Sequence, residues 1–157
     1  MVQEGSTQQM VDKTIQPVRC LVVPSDPGFL VIPSAAVAEI VPLVLNEDTA
    51  KGNMLGLMTW RGVQVPVYSM EVLAGLSIPV FGKRSKAFVF FPWKGMDKNT
   101  FFAIATLYDP RPKLLSSDDI KASDDDQPES AFIRASFRYD GEPALIPDLQ
   151  AISQQQV

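Results

Sequence analysis

The chain contains no histidine and a single cysteine. Without histidine it cannot assemble a Ser-His-Asp or Cys-His nucleophile, ligate a metal through imidazole, or carry a phosphoryl group on a histidine. Cys20 alone can form neither an internal disulfide nor a thiolate cluster. Within Val18-Arg19-Cys20-Leu21-Val22 it reads as a strand residue whose thiol packs as a small hydrophobe. Long apolar runs are also missing. The longest, Ala35 to Leu45, is broken by Glu39 and Pro42 and falls short of the roughly 20 residues of a membrane span. Met1-Val2-Gln3-Glu4-Gly5-Ser6 lacks the basic region and apolar core of a signal peptide. A cytoplasmic location without membrane insertion is expected. Excess positive charge is absent as well: 14 Lys and Arg against 18 Asp and Glu give a net charge of −4. That is not the basic footprint of a nucleic-acid binder. Neither G-x-G-x-x-G nor G-x-x-x-x-G-K-[ST] occurs, so no phosphate-cradling loop is present.

What remains is a globular composition. The 157 residues are 46% hydrophobic and 20% charged, enough for one domain or two small lobes sharing a core. Residues 1–15, rich in Gln, Ser and Thr, read as a flexible tail, as do 154–157, leaving 16–153 as the folded part. Thirteen prolines stand mostly at the edges of β-rich runs, where a missing N–H does least harm. Strands are expected at Val18–Val23, Phe29–Ile32, Ala38–Val41, Gly56–Trp60, Val63–Tyr68, Ala87–Phe91, Phe101–Leu107, Ile133–Tyr139 and Pro143–Ile146. Pro24 to Gly28 makes the turn of a first hairpin. Helices are short. Ser34 is expected to cap a single turn, Ser69 a helix carrying Met70, Val72, Leu73 and Leu76, and Asp148 a turn carrying Leu149 and Ile152.

An internal repeat organises these elements. Trp60-Arg61-Gly62-Val63-Gln64-Val65-Pro66-Val67-Tyr68-Ser69-Met70 aligns with Tyr139-Asp140-Gly141-Glu142-Pro143-Ala144-Leu145-Ile146-Pro147-Asp148-Leu149. Gly62 matches Gly141 and Ser69 matches Asp148, both at an offset of 79 residues. Each copy runs aromatic, turn residue, glycine, apolar strand, N-cap, helix. Each follows a hairpin-like strand pair, Val18–Ile32 in one half and Ala87–Leu107 in the other. The pattern predicts an all-β fold, a duplicated five-stranded unit forming two small β-barrels side by side with a docking groove between them.

Two charged residues stand in apolar surroundings. Glu39 interrupts Val37-Ala38-Glu39-Ile40-Val41, and Arg61 follows Trp60 at the turn before an apolar strand. A charge so placed needs a partner, and these two suit each other. Exposed, such a pair contributes roughly 0–1 kcal/mol; partly buried, losing one member costs about 3–5 kcal/mol. Holding two strands and presenting a surface to a partner are compatible roles. Asp118, Asp119 and Asp124-Asp125-Asp126 lack the alternating ligands, glycine and closing Glu of an EF-hand and read as a solvated loop. No metal or cofactor site is expected. Arg134-Ala135-Ser136-Phe137-Arg138 has the R-x-x-x-R spacing that opens the cyclic-di-GMP motif of PilZ domains, without the D/N-x-S-x-x-G box that follows it there. In a strand, Arg134, Ser136 and Arg138 share one solvent-facing side, opposite Ile133, Ala135 and Phe137. A small-ligand barrel sensor binding a cyclic dinucleotide through Arg134 and Arg138 is the second functional reading. Phe88 and Phe90 alternate as barrel core, which leaves Phe91 on the other face as a docking residue.

Three segments, in order, resemble the CheW-like domain family. Phe29-Leu30-Val31-Ile32-Pro33-Ser34-Ala35-Ala36-Val37-Ala38-Glu39-Ile40-Val41 resembles its F-x-L/I-P/D…V-x-E-I/V strand. Arg61-Gly62-Val63-Gln64-Val65-Pro66-Val67 resembles its L-R-G-x-x-V-P-V-x-D-L turn and strand. Ile133-Arg134-Ala135…Gly141…Ala144-Leu145-Ile146-Pro147-Asp148-Leu149 is similar to its closing I-x-G-x…G-x-x-x-I-L-D-L element. Trp60-Arg61-Gly62 and Pro33-Ser34 look most like the ChpC branch, from chemosensory systems that control type IV pili. The resemblance implies two SH3-like five-stranded barrels with short helices, no catalysis and no cofactor. It implies an adaptor that couples the cytoplasmic tip of a methyl-accepting chemoreceptor to the regulatory domain of a CheA-like histidine kinase. By position, Val37, Glu39 and Arg61 match the family's receptor-facing groove and its Glu–Arg pair; Val63, at the start of the strand after that turn, is taken as a further partner-binding residue. Ala87 to Phe91 fall in the second barrel, the lobe that pairs with the kinase. The chain departs from the family's G-x-x-V-D-x-V strand at Phe102-Ala103-Ile104-Ala105-Thr106-Leu107-Tyr108-Asp109-Pro110. Pro110 and Pro112 remove donors there, so this edge is expected to pair less freely.

Overall fold

The computed structural model describes residues 17–25, 28–98, 100–116, 119, 121–122 and 130–155. Residues 1–16 and 156–157, Asp118 and Asp124-Asp125-Asp126 lie outside the described residues. The strands are β1 (Val18–Pro24), β2 (Phe29–Pro33), β3 (Val37–Pro42), β4 (Gly56–Trp60), β5 (Val63–Tyr68), β6 (Lys86–Phe90), β7 (Phe102–Thr106), β8 (Arg111–Leu115), β9 (Lys121–Ala122), β10 (Ile133–Tyr139) and β11 (Glu142–Pro147). Two short helices, α1 (Met70–Leu73) and α2 (Leu149–Ser153), close the two repeats. Among the described residues no helix is long and apolar enough to cross a membrane.

The repeat is real in three dimensions. Arg61 and Gly62 have φ of 48° and 76°, and Asp140 and Gly141 have 53° and 78°. Both two-residue hairpin loops thus place their central residues in the left-handed region, where glycine carries no Cβ penalty and the loop twist matches that of the strands. The caps repeat as well: Ser69 Oγ accepts from the Val72 N–H and Asp148 Oδ1 from the Ala151 N–H. Helix α1 stops earlier than expected. Gly75 N–H bonds to the Val72 carbonyl and Leu76 N–H to that of Glu71, a Schellman closure that leaves Leu76 beyond the helix. Ser34 opens the 3-10 turn Ser34–Ala36 instead of capping it; Pro33 holds the cap position and makes no side-chain bond there.

Strand pairing overturns the expectation that each sequence half builds its own barrel. One sheet runs β8-β1-β2-β11-β10-β9 and the other β3-β6-β7-β5-β4. The hairpin β1–β2 therefore sits in the sheet with the second copy of the repeat, and β6–β7 in the sheet with the first. Laid against each other, β8-β1-β2-β11-β10 and β3-β6-β7-β5-β4 are the same arrangement: two units that have exchanged their N-terminal hairpins. In both sheets the exchanged hairpin is joined through a parallel pair, Ala144↔Phe29 with Leu145↔Leu30 and Val67↔Ala103 with Tyr68↔Ile104. Closure is also shared. An open five-stranded sheet would separate β3 from β4 by about 19 Å at ~4.8 Å per strand, yet Asn46 N–H, just beyond β3, bonds the Leu57 carbonyl of β4 at 2.9 Å. The sheet is rolled into a barrel. In its counterpart the chain leaves β8 and returns as β9 to pair with β10.

Three apolar clusters follow from this exchange. Leu55, Met58, Trp60, Val65, Val67, Ala87, Val89, Ala103 and Ala105 fill the five-stranded barrel. Cys20, Val22, Val31, Leu115, Phe137 and Ala144 fill the other. The third, with Val23, Leu30, Ile32, Phe88, Phe90, Phe102, Ile104 and both helices, lies between the barrels. Phe88 and Phe90 thus belong to the seam and not to a barrel interior, and the middle of the expected inter-lobe groove is packed core. The exchanged hairpins are apolar on both faces because one face looks into a barrel and the other into the seam.

The proline-bearing segment also differs from expectation. Arg111–Leu115 is strand β8, paired along β1 with Leu21↔Pro112 in register. It tolerates Pro112 because it is an edge strand, where one side of the backbone needs no partner.

Candidate functional site

The five residues singled out in the sequence gather at one end of the five-stranded barrel. Strand β3 carries Val37 and Glu39 and pairs with β6, Val37 opposite Phe90 and Glu39 opposite Val89. The register slips by one residue between them, a β-bulge at Ala38. Its effect is visible in the packing: Ala38 and Val41, three apart, both reach the barrel core, which strict alternation forbids. Val37 packs instead against the seam cluster. Phe91, just past β6, bonds through its N–H to the Ala36 carbonyl at 3.1 Å, which places it beside the start of β3. Its side chain is 52% exposed. Val63 opens β5 opposite Trp60 and packs against the barrel core.

Glu39 and Arg61 are in contact. Arg61 Nη2 lies 3.0 Å from Glu39 Oε1. The same oxygen accepts the Trp60 indole N–H at 2.9 Å. The Arg61 guanidinium lies over the Trp60 ring at 4.9 Å, and the ring's neighbour is Phe101, centroid to centroid 4.9 Å. Trp60 is the member that charge reasoning missed. Its signal was present, because an indole N–H that is going to be buried needs an acceptor. With side chains 69% and 40% exposed, Arg61 and Glu39 form a surface pair worth about 0–1 kcal/mol. The bond from buried Trp60 is the stronger structural tie, since an orphaned buried donor costs about 1–3 kcal/mol.

Arg61 carries a further mark. Its φ of 48° is matched in the other repeat by Asp140 at 53°. Asp tolerates the left-handed region and Arg does not, at roughly 1–2 kcal/mol. Arg61 is thus a strained backbone position with a mostly exposed side chain.

The residues of the cyclic-dinucleotide reading are placed elsewhere. Arg134 and Arg138 lie on exposed strand β10 of the other barrel. A register shift between Ile133 and Ala135 breaks the alternation that would align Arg134 with Arg138, and Ala135 is exposed instead of facing inward with Phe137. Arg138 Nη1 donates to the Gly141 carbonyl of its own hairpin loop. Among the described residues no group of His, Cys, Asp or Glu could hold a metal ion. Burial pushes the Cys20 thiol up from its ordinary range, so it stays protonated in the core. The Tyr68 hydroxyl is pushed up for the same reason and donates to the Gln155 carbonyl. Strand β6 pairs with the strand of Glu39 in one sheet, so the two segments that the resemblance assigned to different barrels stand in one, and Ala87–Phe90 are buried, which leaves only Phe91 of that segment exposed.

Residues 19–157 match the family model of the CheW-like domain. Among solved structures, the crystal structure of the scaffolding protein TtCheW from Thermoanaerobacter tengcongensis is similar, with a TM-score of 0.68 at 14% sequence identity over 85% of each chain. No curated protein matches the sequence.

Proposed function

The chain belongs to the CheW-like domain family, and from that we propose that it is a non-catalytic adaptor in chemosensory signalling. In this reading it joins the cytoplasmic tip of a chemoreceptor to the regulatory domain of a CheA-like histidine kinase. The observation that carries it is the Glu39–Arg61–Trp60 cluster: a charge pair fixed on a barrel end, largely exposed, with Phe91 exposed beside the same strand. A fixed charge pair next to apolar surface is the composition of a protein-recognition site, where charges set register and apolar anchors supply affinity. The receptor tip is assigned to Val37, Glu39 and Arg61, with Val63 and Phe91 beside them as further partner-binding residues. The finer placement, a ChpC-type adaptor in the control of type IV pili, rests on Trp60-Arg61-Gly62 and Pro33-Ser34.

The test is a titration of the intact protein against two purified partners from the same cell, a chemoreceptor cytoplasmic fragment and the regulatory domain of the CheA-like kinase. Saturable binding to both is expected. Arg61→Glu should weaken receptor binding by about tenfold or more while its unfolding transition stays within about 1 kcal/mol of the parent. Folded protein that binds neither partner would remove the adaptor reading. Receptor binding indifferent to Arg61→Glu would remove the assigned surface.

A further inference from the structure

The duplication carries every position of the Glu39–Arg61 cluster into the other barrel. The 79-residue offset sets Tyr139 level with Trp60, Asp140 with Arg61 and Glu142 with Val63. Strand pairing extends the match to the exchanged hairpins. Val67 pairs with Ala103, and its counterpart Ile146 follows Leu145, which pairs with Leu30, so Ala103 is level with Val31. Ala103 pairs with Val89 and Val89 with Glu39. Val31 pairs with Val22 and Val22 with Arg111. Arg111 therefore holds the position of Glu39. The packing agrees with this register: Val89 and Ala103 fill one barrel where Val22 and Val31 fill the other. The ring pair Trp60–Phe101, with centroids 4.9 Å apart, is repeated by Tyr139–Phe29 at 5.5 Å.

On this shared frame the chemistry is inverted. The strand position holds an acid, Glu39, in one barrel and a base, Arg111, in the other. The loop position holds a base, Arg61, at φ 48° and an acid, Asp140, at φ 53°. The apolar flanks are replaced as well. Val63 gives way to Glu142, and Phe91, two residues past Val89, gives way to Pro24, two past Val22. Pro24, Arg111, Asp140 and Glu142 are all exposed. Glu39 and Arg61 hold each other at 3.0 Å, whereas Arg111 and Asp140 have no ion-pair partner among the described residues. Like surfaces on both barrels would offer one partner two equivalent sites. Idle divergence needs only neutral residues to lose one of them; here both signs are opposite. A partner whose charges complement Glu39 and Arg61 meets like charge twice at Arg111 and Asp140.

We infer that Arg111 and Asp140 are specificity residues that make the molecule univalent for the receptor tip, by turning a second receptor away from the matching place on the other barrel. This rests on the assignment of the receptor to the Glu39–Arg61 end. A chain with two receptor faces would bridge receptors to each other without a kinase. A univalent chain joins a receptor to something else, as an adaptor requires.

The experiment transplants the first site onto the second, with the chemoreceptor cytoplasmic fragment as probe. Arg61→Glu first silences the original site, lowering affinity by about tenfold or more. Adding Arg111→Glu, Asp140→Arg, Glu142→Val and Pro24→Phe to that variant should restore about tenfold or more. Adding Glu142→Val and Pro24→Phe alone, with Arg111 and Asp140 kept, should restore nothing. With Arg61 intact, the four substitutions should raise the number of fragments bound per chain at saturation above that of the parent. All four positions are exposed, and of them only Asp140 has a positive φ. A second version with Asp140→Asn avoids an arginine there and should gain less in the same direction. A circular dichroism spectrum matching the parent confirms that each variant is folded. No recovery in either folded version would overturn the inference. So would recovery with Arg111 and Asp140 kept, or residual binding by Arg61→Glu that Arg111→Ala removes. A parent protein that binds no receptor fragment would remove the adaptor reading and this inference with it.

Discussion

Glu39 has two partners of different worth, and substitution can separate them. Trp60 is buried and its indole N–H depends on Glu39 Oε1, whereas Arg61 is mostly in water. Glu39→Ala should therefore destabilise by about 1–3 kcal/mol, the cost of orphaning a buried donor. Glu39→Gln keeps an acceptor in reach of the indole and loses only the surface pair, so its cost should stay below about 1 kcal/mol, as should that of Arg61→Ala. Urea unfolding of the three variants checks the order. An Arg61→Ala loss as large as that of Glu39→Ala would mean the ion pair, and not the indole bond, ties β3 to β4. That Glu39 and Arg61 suit each other was legible in the sequence, because each charge stood alone in an apolar context; that they touch was not, because it depends on how β3 is placed beside the end of β4. Trp60 was less legible, because nothing in a linear pattern says which face of a strand-end aromatic will be covered.

The two hairpin loops are equivalent elements with unequal first residues. A Cβ at Gly62 or at Gly141 would meet nothing within 4 Å. Alanine at either position thus costs only the left-handed backbone penalty, about 1–2 kcal/mol. Gly62→Ala and Gly141→Ala should lower stability equally in urea, and a marked inequality would show that one loop adopts another geometry once strained. These loops, both N-caps and nine of the strands were legible because turn chemistry and alternation are local. Strand β8 was not: Pro110 and Pro112 argue against pairing locally, and only its place at a sheet edge makes Pro112 harmless. The bulges in β3 and β10 escaped for a related reason, since a one-residue slip is set by the partner strand and leaves no mark in its own sequence.

Exchange of hairpins makes the molecule one cooperative body although its sequence is a duplication. Nothing in the sequence distinguished exchange from two separate barrels, because both assign the same strands to the same residues and differ only in which hairpin fills which sheet. The distinction has a physical consequence. Cutting the chain between Lys83 and Arg84 leaves an N-terminal part with β3, β4 and β5 but without β6 and β7. Strand β3 pairs in its sheet only with β6, so that part loses the middle of its barrel. It also exposes the seam faces of β1 and β2, whose Val23, Leu30 and Ile32 pack against Phe88, Phe90, Phe102 and Ile104 from beyond the cut. The C-terminal part is symmetrically deprived of β1 and β2. Neither fragment alone should show a cooperative thermal transition as a monomer. Mixed in equal amounts, they should regain the parent's circular dichroism and a single transition whose midpoint rises with concentration, because association now supplies what the covalent link supplied. If either fragment folds cooperatively by itself as a monomer, the barrels are independent units and the exchanged pairing does not govern stability.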